Sequence, residues 1–216
     1  MKKFAIILSG CGVFDGAEIH EATLSMLAVM MHGGVYEIFA PDIKQHHVIN
    51  HITGEEMKEE RNVLIESARI ARGKISPMSA FNAEEFDALL IPGGFGAAKN
   101  LSDFAFKGSE AGVFIQVKDA IQEMHRMKKP IGALCISPAL IALTLDNVDL
   151  TIGNDKATIE ALEALNAHHL ETSHGEVVHD KAENIFTTPC YMLDATILEI
   201  AIGAENIVKA MMENME

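Results

Sequence analysis

The sequence predicts an α/β fold in which helices sandwich a doubly wound, mostly parallel sheet. Short apolar blocks recur along the 216 residues, and helix-like segments separate most of them. Residues 88–91 and 130–134 are continuous apolar runs rather than alternating ones. Such runs are typical of strands covered on both faces, as in a parallel sheet. This pattern predicts a flavodoxin-like architecture.

Each predicted element follows from a local signal. The first helix, residues 18–32, carries apolar residues at helical spacing and ends at Gly33 and Gly34. Residues 46–80 are polar and charged, which predicts an insertion suited to a lid or a dimer surface, with a helix near residues 63–72. A small hairpin and a final helix, residues 193–212, close the chain. The predicted strands are residues 4–8, 35–40, 88–91, 130–134, 147–152 and 184–188, with residues 176–179 as the hairpin partner.

Composition excludes several classes of partner. The chain has 17 basic and 31 acidic residues, a net charge of -14, which argues against nucleic acid and anionic membranes. Three cysteines form neither a disulfide framework nor a zinc module, so we expect a reducing, cytoplasmic setting. The apolar start at residues 4–8 is too short for a signal peptide, and no apolar run approaches about 18 residues. We expect a single domain over residues 1–216.

Cys135 lies between the predicted strand 130–134 and a short helical run at residues 136–143. This placement is typical of a nucleophile elbow, where a sharp turn exposes the side chain at the carboxyl edge of a sheet. The positive end of the helix dipole would help such a thiol to ionise. The alternative is a buried cysteine that ends a core strand.

A second motif is the glycine-rich loop at residues 92–96, directly after the strand 88–91. Its N–H groups could cradle a phosphate, although the loop lacks the Lys-Ser/Thr ending of a P-loop. Beside an elbow cysteine, the same N–H groups would stabilise an oxyanion together with the N–H of Ile136. We favour the second interpretation.

Glu18 and Glu21 follow the first strand, so their carboxylates belong to the same sheet edge as Cys135. Either could serve as a general acid or base, or both could be acids placed at a helix N-terminus for its dipole. The ten histidines show no familiar metal-ligand spacing, so we expect no metal. His174 is a minor candidate for a base beside Cys135, and Cys11 and Cys190 are interpreted as bystanders.

The chain resembles the PfpI-type superfamily with the class I glutamine-amidotransferase-like fold, and within it the ElbB branch. The resemblance extends over nearly the whole length. Its segments are residues 7–21 (ILSGCGVFDGAEIHE), 48–51 (VINH), 61–66 (RNVLIE), 92–101 (PGGFGAAKNL) and 187–193 (TTPCYML).

The resemblance implies that Cys135 is the nucleophile and that Glu21 is the acid that hydrogen-bonds its thiol. It places the oxyanion hole at the N–H groups of Gly94 and Ile136. It implies a cofactor-independent glyoxalase that converts a small dicarbonyl, glyoxal or methylglyoxal, to a 2-hydroxy acid without glutathione. It also implies a link to isoprenoid biosynthesis and, by analogy, a homodimer.

The sequence departs from the superfamily in one respect. Many members place a histidine shortly after the elbow or after the following strand, where this chain has Ile136 and residues 153–155. The expected site is therefore a Cys-Glu dyad, and Asp155 receives no role. Two other functions stay open: a redox-sensing or deglycase and chaperone-like protein that uses Cys135, and an amidotransferase-like amidase that takes its base from His174.

Overall fold

The computed structural model of the protein describes residues 1–215 and contains one large sheet. Its strands run in the order β3-β2-β1-β4-β5-β9-β8, and all neighbouring pairs are parallel except the antiparallel pair β8 and β9. The predicted doubly wound, mostly parallel sheet with a C-terminal hairpin is thus confirmed. The strands are β1 Lys3–Ile7, β2 Val35–Ala40, β3 Ser76–Pro77, β4 Ala88–Ile91, β5 Ile131–Leu134, β6 Asp149–Leu150, β7 His168–His169, β8 Val178–Asp180 and β9 Ile185–Thr188.

Helices cover both faces of the sheet, and β1 shows how the core divides. Phe4 and Ile6 face the cluster built with α1 and α8, whereas Ala5 and Ile7 face the cluster built with α5. Each cluster lies on one face because side chains alternate along a strand. The helices are α1 Ile19–Met31, α2 Val63–Ile70, α3 Phe95–Lys99, α4 Phe104–Lys107, α5 Ile115–Arg126, α6 Pro138–Ala142, α7 Lys156–Glu163 and α8 Ile197–Glu213.

The prediction that residues 147–152 form a strand of the main sheet is wrong. Only β6 is extended there, and it pairs with β7 in a separate two-stranded sheet. β9 pairs with β5 on one side and with the antiparallel strand β8 on the other, so it offers no edge to residues 147–152. The N–H of Thr151 instead donates to the hydroxyl of Thr187, at 2.9 Å.

The insertion folds over the loop that follows β1. Ile49 donates its N–H to the buried carboxylate of Asp15 at 2.7 Å, and Ser67 on α2 accepts the N–H of Gly10 at 2.9 Å. α8 begins four residues later than predicted, because a 3-10 turn at Cys190–Met192 precedes it and Thr196 caps it. No helix within residues 1–215 is long and apolar enough to cross a membrane.

Candidate active site

Cys135 occupies the predicted elbow. It follows β5 directly and has a φ of 60°, a left-handed conformation that L-residues adopt at a cost. Its N–H still donates to Thr188 at 3.0 Å, which ties the turn to the end of β9. The hydroxyl of Ser137 donates to the carbonyl of Pro92 at 2.7 Å and holds the elbow against the end of β4. The sulfur therefore lies at the carboxyl edge of the sheet.

The glycine-rich loop packs against the sulfur. A Cβ at Gly93 would lie 2.4 Å from the Cβ of Cys135 and 2.7 Å from Oε2 of Glu21, so a side chain cannot fit. Gly94 has a φ of 93° and precedes α3. The N–H groups of Gly94 and Ile136 both donate to the sulfur of Cys135. These are the two N–H groups that the family resemblance implies for an oxyanion hole.

Glu21 reaches the sulfur from the first turn of α1. Its side chain is fully buried and hydrogen-bonds the side chain of Cys135. Oε2 accepts the N–H of Gly93 at 2.9 Å, and Oε1 accepts the N–H of Tyr191 at 3.3 Å. Glu18 is the residue that caps α1, because its carboxylate accepts the N–H of Glu21 at 2.7 Å. The structure thus separates two carboxylates that the residues alone could not distinguish.

The charge of Glu21 disfavours ionisation of Cys135, whereas the hydrogen bond from Cys135 favours the ionised carboxylate of Glu21. Burial and the charge of Glu18 raise the pKa of Glu21 to about 8. Burial, followed by the charge of Glu21, raises the pKa of the Cys135 thiol well above its usual value, and the N–H groups of Gly94 and Ile136 only partly oppose this. Two buried groups this close lose their first proton as a pair. With that one proton gone, either the sulfur or the carboxyl carries the charge.

The expectation that the elbow thiol ionises readily is therefore wrong for the resting protein. The helix after the elbow, α6, has five residues, and the sulfur lies before its cap rather than at its first turn. A helix that short contributes little dipole. Cys135 is also only 6% exposed, so burial outweighs the N–H groups that favour thiolate.

Two residues at the site were not found from the sequence. The main-chain N–H of Tyr191 donates to Glu21, and the hydroxyl of Tyr191 lies 2.8 Å from Nδ1 of His20. The only available signal was position: Tyr191 closely follows β9, so it belongs to the same sheet edge as the elbow. Cys190, the residue before Tyr191, is also buried, and burial raises the pKa of its thiol.

Other candidates lie in different surroundings. His174 lies 3.8 Å from Glu199 of α8, and in the described part of the chain it makes no hydrogen bond to Cys135. Asp155 caps α7 by accepting the N–H of Thr158 at 2.9 Å. Within residues 1–215, no group of three or more His, Cys, Asp or Glu side chains is arranged to hold a metal ion.

Two cavities of the structure lie away from the sulfur. An apolar groove of about 680 Å³ runs between α1 and α2, and a polar cavity of about 740 Å³ lies around His125 and His179. Neither is lined by Cys135 or Glu21. In this conformation the sulfur has little exposed surface.

The chain is similar to known proteins over nearly its whole length. The chain is 43% identical to the mitochondrial ES1 protein homolog of Rattus norvegicus over 98% of this chain and 83% of that protein. It is 42% identical to the mitochondrial glutamine amidotransferase-like class 1 domain-containing protein 3 of Homo sapiens, over 98% of this chain and 82% of that protein. No family model matches the chain.

Solved structures with the same fold include a relative of similar length. An isoprenoid biosynthesis protein with an amidotransferase-like domain from Ehrlichia chaffeensis superposes with a TM-score of 0.92 at 37% identity, over 99% of each chain. A glyoxalase III from Candida albicans shares the fold alone, with a TM-score of 0.63 at 13% identity over 100% of this chain and 98% of that one.

The sheet and the elbow, together with these relatives, define a protein of the class I glutamine-amidotransferase-like class. The two mitochondrial relatives identify the family within this class, because their similarity extends over nearly the full length of the chain. The chain belongs to the ES1 family.

Proposed function

We propose that this protein is a glutathione-independent glyoxalase of the ElbB type, which converts glyoxal, and methylglyoxal as a second substrate, to the 2-hydroxy acid. One observation carries the proposal: the sulfur of Cys135 contacts the carboxyl of Glu21 and the N–H groups of Gly94 and Ile136. A nucleophile, a proton carrier and two oxyanion donors are the groups that aldehyde isomerisation requires.

The reaction begins from the pair that has lost one proton, with the charge on sulfur and the proton on Glu21. The sulfur of Cys135 adds to an aldehyde carbon, and the C–S bond forms as the carbonyl oxygen becomes negative. The N–H groups of Gly94 and Ile136 stabilise that oxygen. Glu21 then donates its proton to the oxygen, which gives a hemithioacetal.

Isomerisation follows within the same complex. Glu21, now ionised, removes the proton from the carbon bonded to sulfur, and the electron pair passes to the neighbouring carbonyl oxygen, which gives an enediolate. Glu21 returns that proton to the neighbouring carbon, while the hydroxyl proton moves from the first oxygen to the second, which gives a thioester of Cys135. Water then adds to the thioester, the C–S bond breaks, and the 2-hydroxy acid and the thiolate are released. The sequence consumes one water and no oxidant, and its groups come from the chain itself.

Several features support a small uncharged substrate. Cys135 is 6% exposed and Glu21 is fully buried, so little space surrounds the reacting atoms. The buried carboxylate of Glu18 and the negative charge on the sulfur of Cys135 would repel a negatively charged substrate. A dicarbonyl with two or three carbons meets both conditions. We also propose that, like the amidotransferase-like relative from Ehrlichia chaffeensis, the protein serves isoprenoid biosynthesis.

The test incubates the purified protein with glyoxal or methylglyoxal and follows glycolate or lactate by chromatography. We expect product from the wild type and from Cys11→Ala, which removes a half-exposed thiol outside the site. We expect kcat/KM to rise with pH and to level off near pH 8, where the coupled pair of Glu21 and Cys135 loses its first proton. Glu21→Gln should abolish that rise.

The opposite result has a clear form. If the wild type forms no 2-hydroxy acid from either aldehyde, the glyoxalase proposal is wrong. A mass gain at Cys135 after mild peroxide, in the absence of such turnover, would then assign the site to redox sensing.

A further inference from the structure

Beside Glu21, two side chains from distant parts of the chain contact each other. His20 lies in the first turn of α1, and Tyr191 lies in the 3-10 turn after β9. Nδ1 of His20 is 2.8 Å from the hydroxyl of Tyr191, and the two rings are 5.9 Å apart. The main chain of Tyr191 also donates to Glu21. The His20–Tyr191 pair therefore borders the carboxyl that faces the sulfur.

His20 differs from the buried groups in its access to water. Glu21 has no exposed surface, and both of its oxygens already accept main-chain N–H groups. The carboxylate of Glu18 is used as the cap of α1. His20 is exposed, and Nε2 has no hydrogen-bond partner within residues 1–215. His20 is therefore accessible to water in this conformation, whereas Glu21 is not.

The last step of the proposed reaction, hydrolysis of the thioester, needs a base. Hydrolysis of the thioester requires that a proton leave the attacking water, and the elbow is followed by Ile136 rather than by a histidine. Asp155 is occupied as the cap of α7. If the hydroxyl oxygen of Tyr191 accepts the proton on Nδ1, the lone pair of Nε2 is free to take a proton from water.

We propose that His20 is the general base for hydrolysis of the Cys135 thioester and that the hydroxyl of Tyr191 positions its ring. This rests on the proposed glyoxalase function. Water gives one proton to Nε2 of His20 while its oxygen bonds to the thioester carbon. The C–S bond then breaks, the electron pair returns to sulfur, and His20 releases its proton to solvent. Neither the carbon skeleton nor the oxidation level changes in this step.

The test separates the two halves of the reaction by rapid quench with glyoxal. Acid-quenched protein is digested, and the hydroxyacetyl thioester on the Cys135 peptide is measured beside free glycolate. In His20→Gln we expect the thioester to form at the wild-type rate and then accumulate, while steady-state glycolate falls by about a hundredfold or more. His168→Gln, an exposed histidine on β7, is the matched control and should behave as wild type.

Tyr191→Phe isolates the positioning role, because it removes the hydroxyl and keeps the main-chain N–H that Glu21 accepts. We expect a smaller loss of steady-state kcat with KM unchanged, and thioester accumulation as in His20→Gln. A purely structural role would instead raise KM or slow thioester formation, both of which are expected to stay at the wild-type value in His20→Gln and Tyr191→Phe.

Failure of this inference differs from failure of the glyoxalase proposal. If wild type forms the thioester and His20→Gln hydrolyses it at the wild-type rate, His20 is not the base. If no thioester and no glycolate form in any variant, the glyoxalase proposal itself is wrong.

Discussion

Replacement of Glu21 by Gln should make the free energy of unfolding less dependent on pH. An acid whose pKa rises on folding stays protonated in the native state at pH values where the unfolded chain is already ionised. Its effect on stability is therefore absent below the unfolded pKa, and stability falls as the pH rises toward the folded pKa. For Glu21 the two limits are 4.5 and about 8.

The size of the effect follows from those limits. The difference between 8 and 4.5 is 3.5, and about 1.4 kcal/mol for each tenfold change in proton affinity gives about 5 kcal/mol. Glu21 is fully buried, so solvent screening does not reduce this figure greatly. Gln also loses an acceptor for the N–H of Tyr191 or Gly93, but that loss does not depend on pH.

The assay is urea unfolding of wild type and Glu21→Gln at a series of pH values from 4 to about 9. The free energy of unfolding of the wild type should fall relative to Glu21→Gln by up to about 5 kcal/mol, mainly between pH 4.5 and 8. Glu160→Gln, on the exposed face of α7, should follow the wild-type curve. Parallel curves for wild type and Glu21→Gln would refute the assignment of a proton to Glu21 at neutral pH.

Other parts of the structure give further expectations. Gly93→Ala should lower the free energy of unfolding by about 1–3 kcal/mol or more in thermal or urea unfolding, because its Cβ would overlap Cys135. Gly112→Ala should leave the free energy of unfolding nearly unchanged, because no atom lies within 4 Å of its added Cβ. Equal effects of the two changes would contradict the packing at the elbow. Brief alkylation at neutral pH should modify Cys11 before Cys135, as read by peptide mass spectrometry, and the reverse order would mean that the elbow thiol is exposed or activated. Thr196→Ala should cost about 1 kcal/mol by removing the capping box of α8, and an unchanged urea midpoint would show that the cap contributes nothing.

Local signals were sufficient for much of the fold and part of the site. The run before Cys135 is apolar on every residue and buried, so its assignment as a central strand needed no long-range information. The glycines after β4 and the elbow after β5 follow neighbouring parallel strands, and this placement brought Gly94 and Ile136 to one sheet edge. The choice of Glu21 over Glu18 came from family resemblance, because both carboxylates lie at the same helix start.

What the sequence did not reveal depends on contacts between distant segments. His20 and Tyr191 are 171 residues apart along the chain, and no periodic pattern links them. The prediction that residues 147–152 join the main sheet was wrong because β8 pairs with the edge of β9. Hydrophobicity alone does not determine which of two segments pairs with a given strand edge. The pKa of Cys135 was misjudged because burial, which only tertiary structure determines, outweighs the short helix that follows.

The central claim is that the sulfur of Cys135 performs covalent chemistry on a dicarbonyl. The most direct measurement compares glycolate formed from glyoxal by wild type and by Cys135→Ala at equal protein concentration near pH 8. We expect glycolate from the wild type and only the uncatalysed background from the variant, with circular dichroism showing that both are folded. Glycolate formation by folded Cys135→Ala at the wild-type rate would contradict the account.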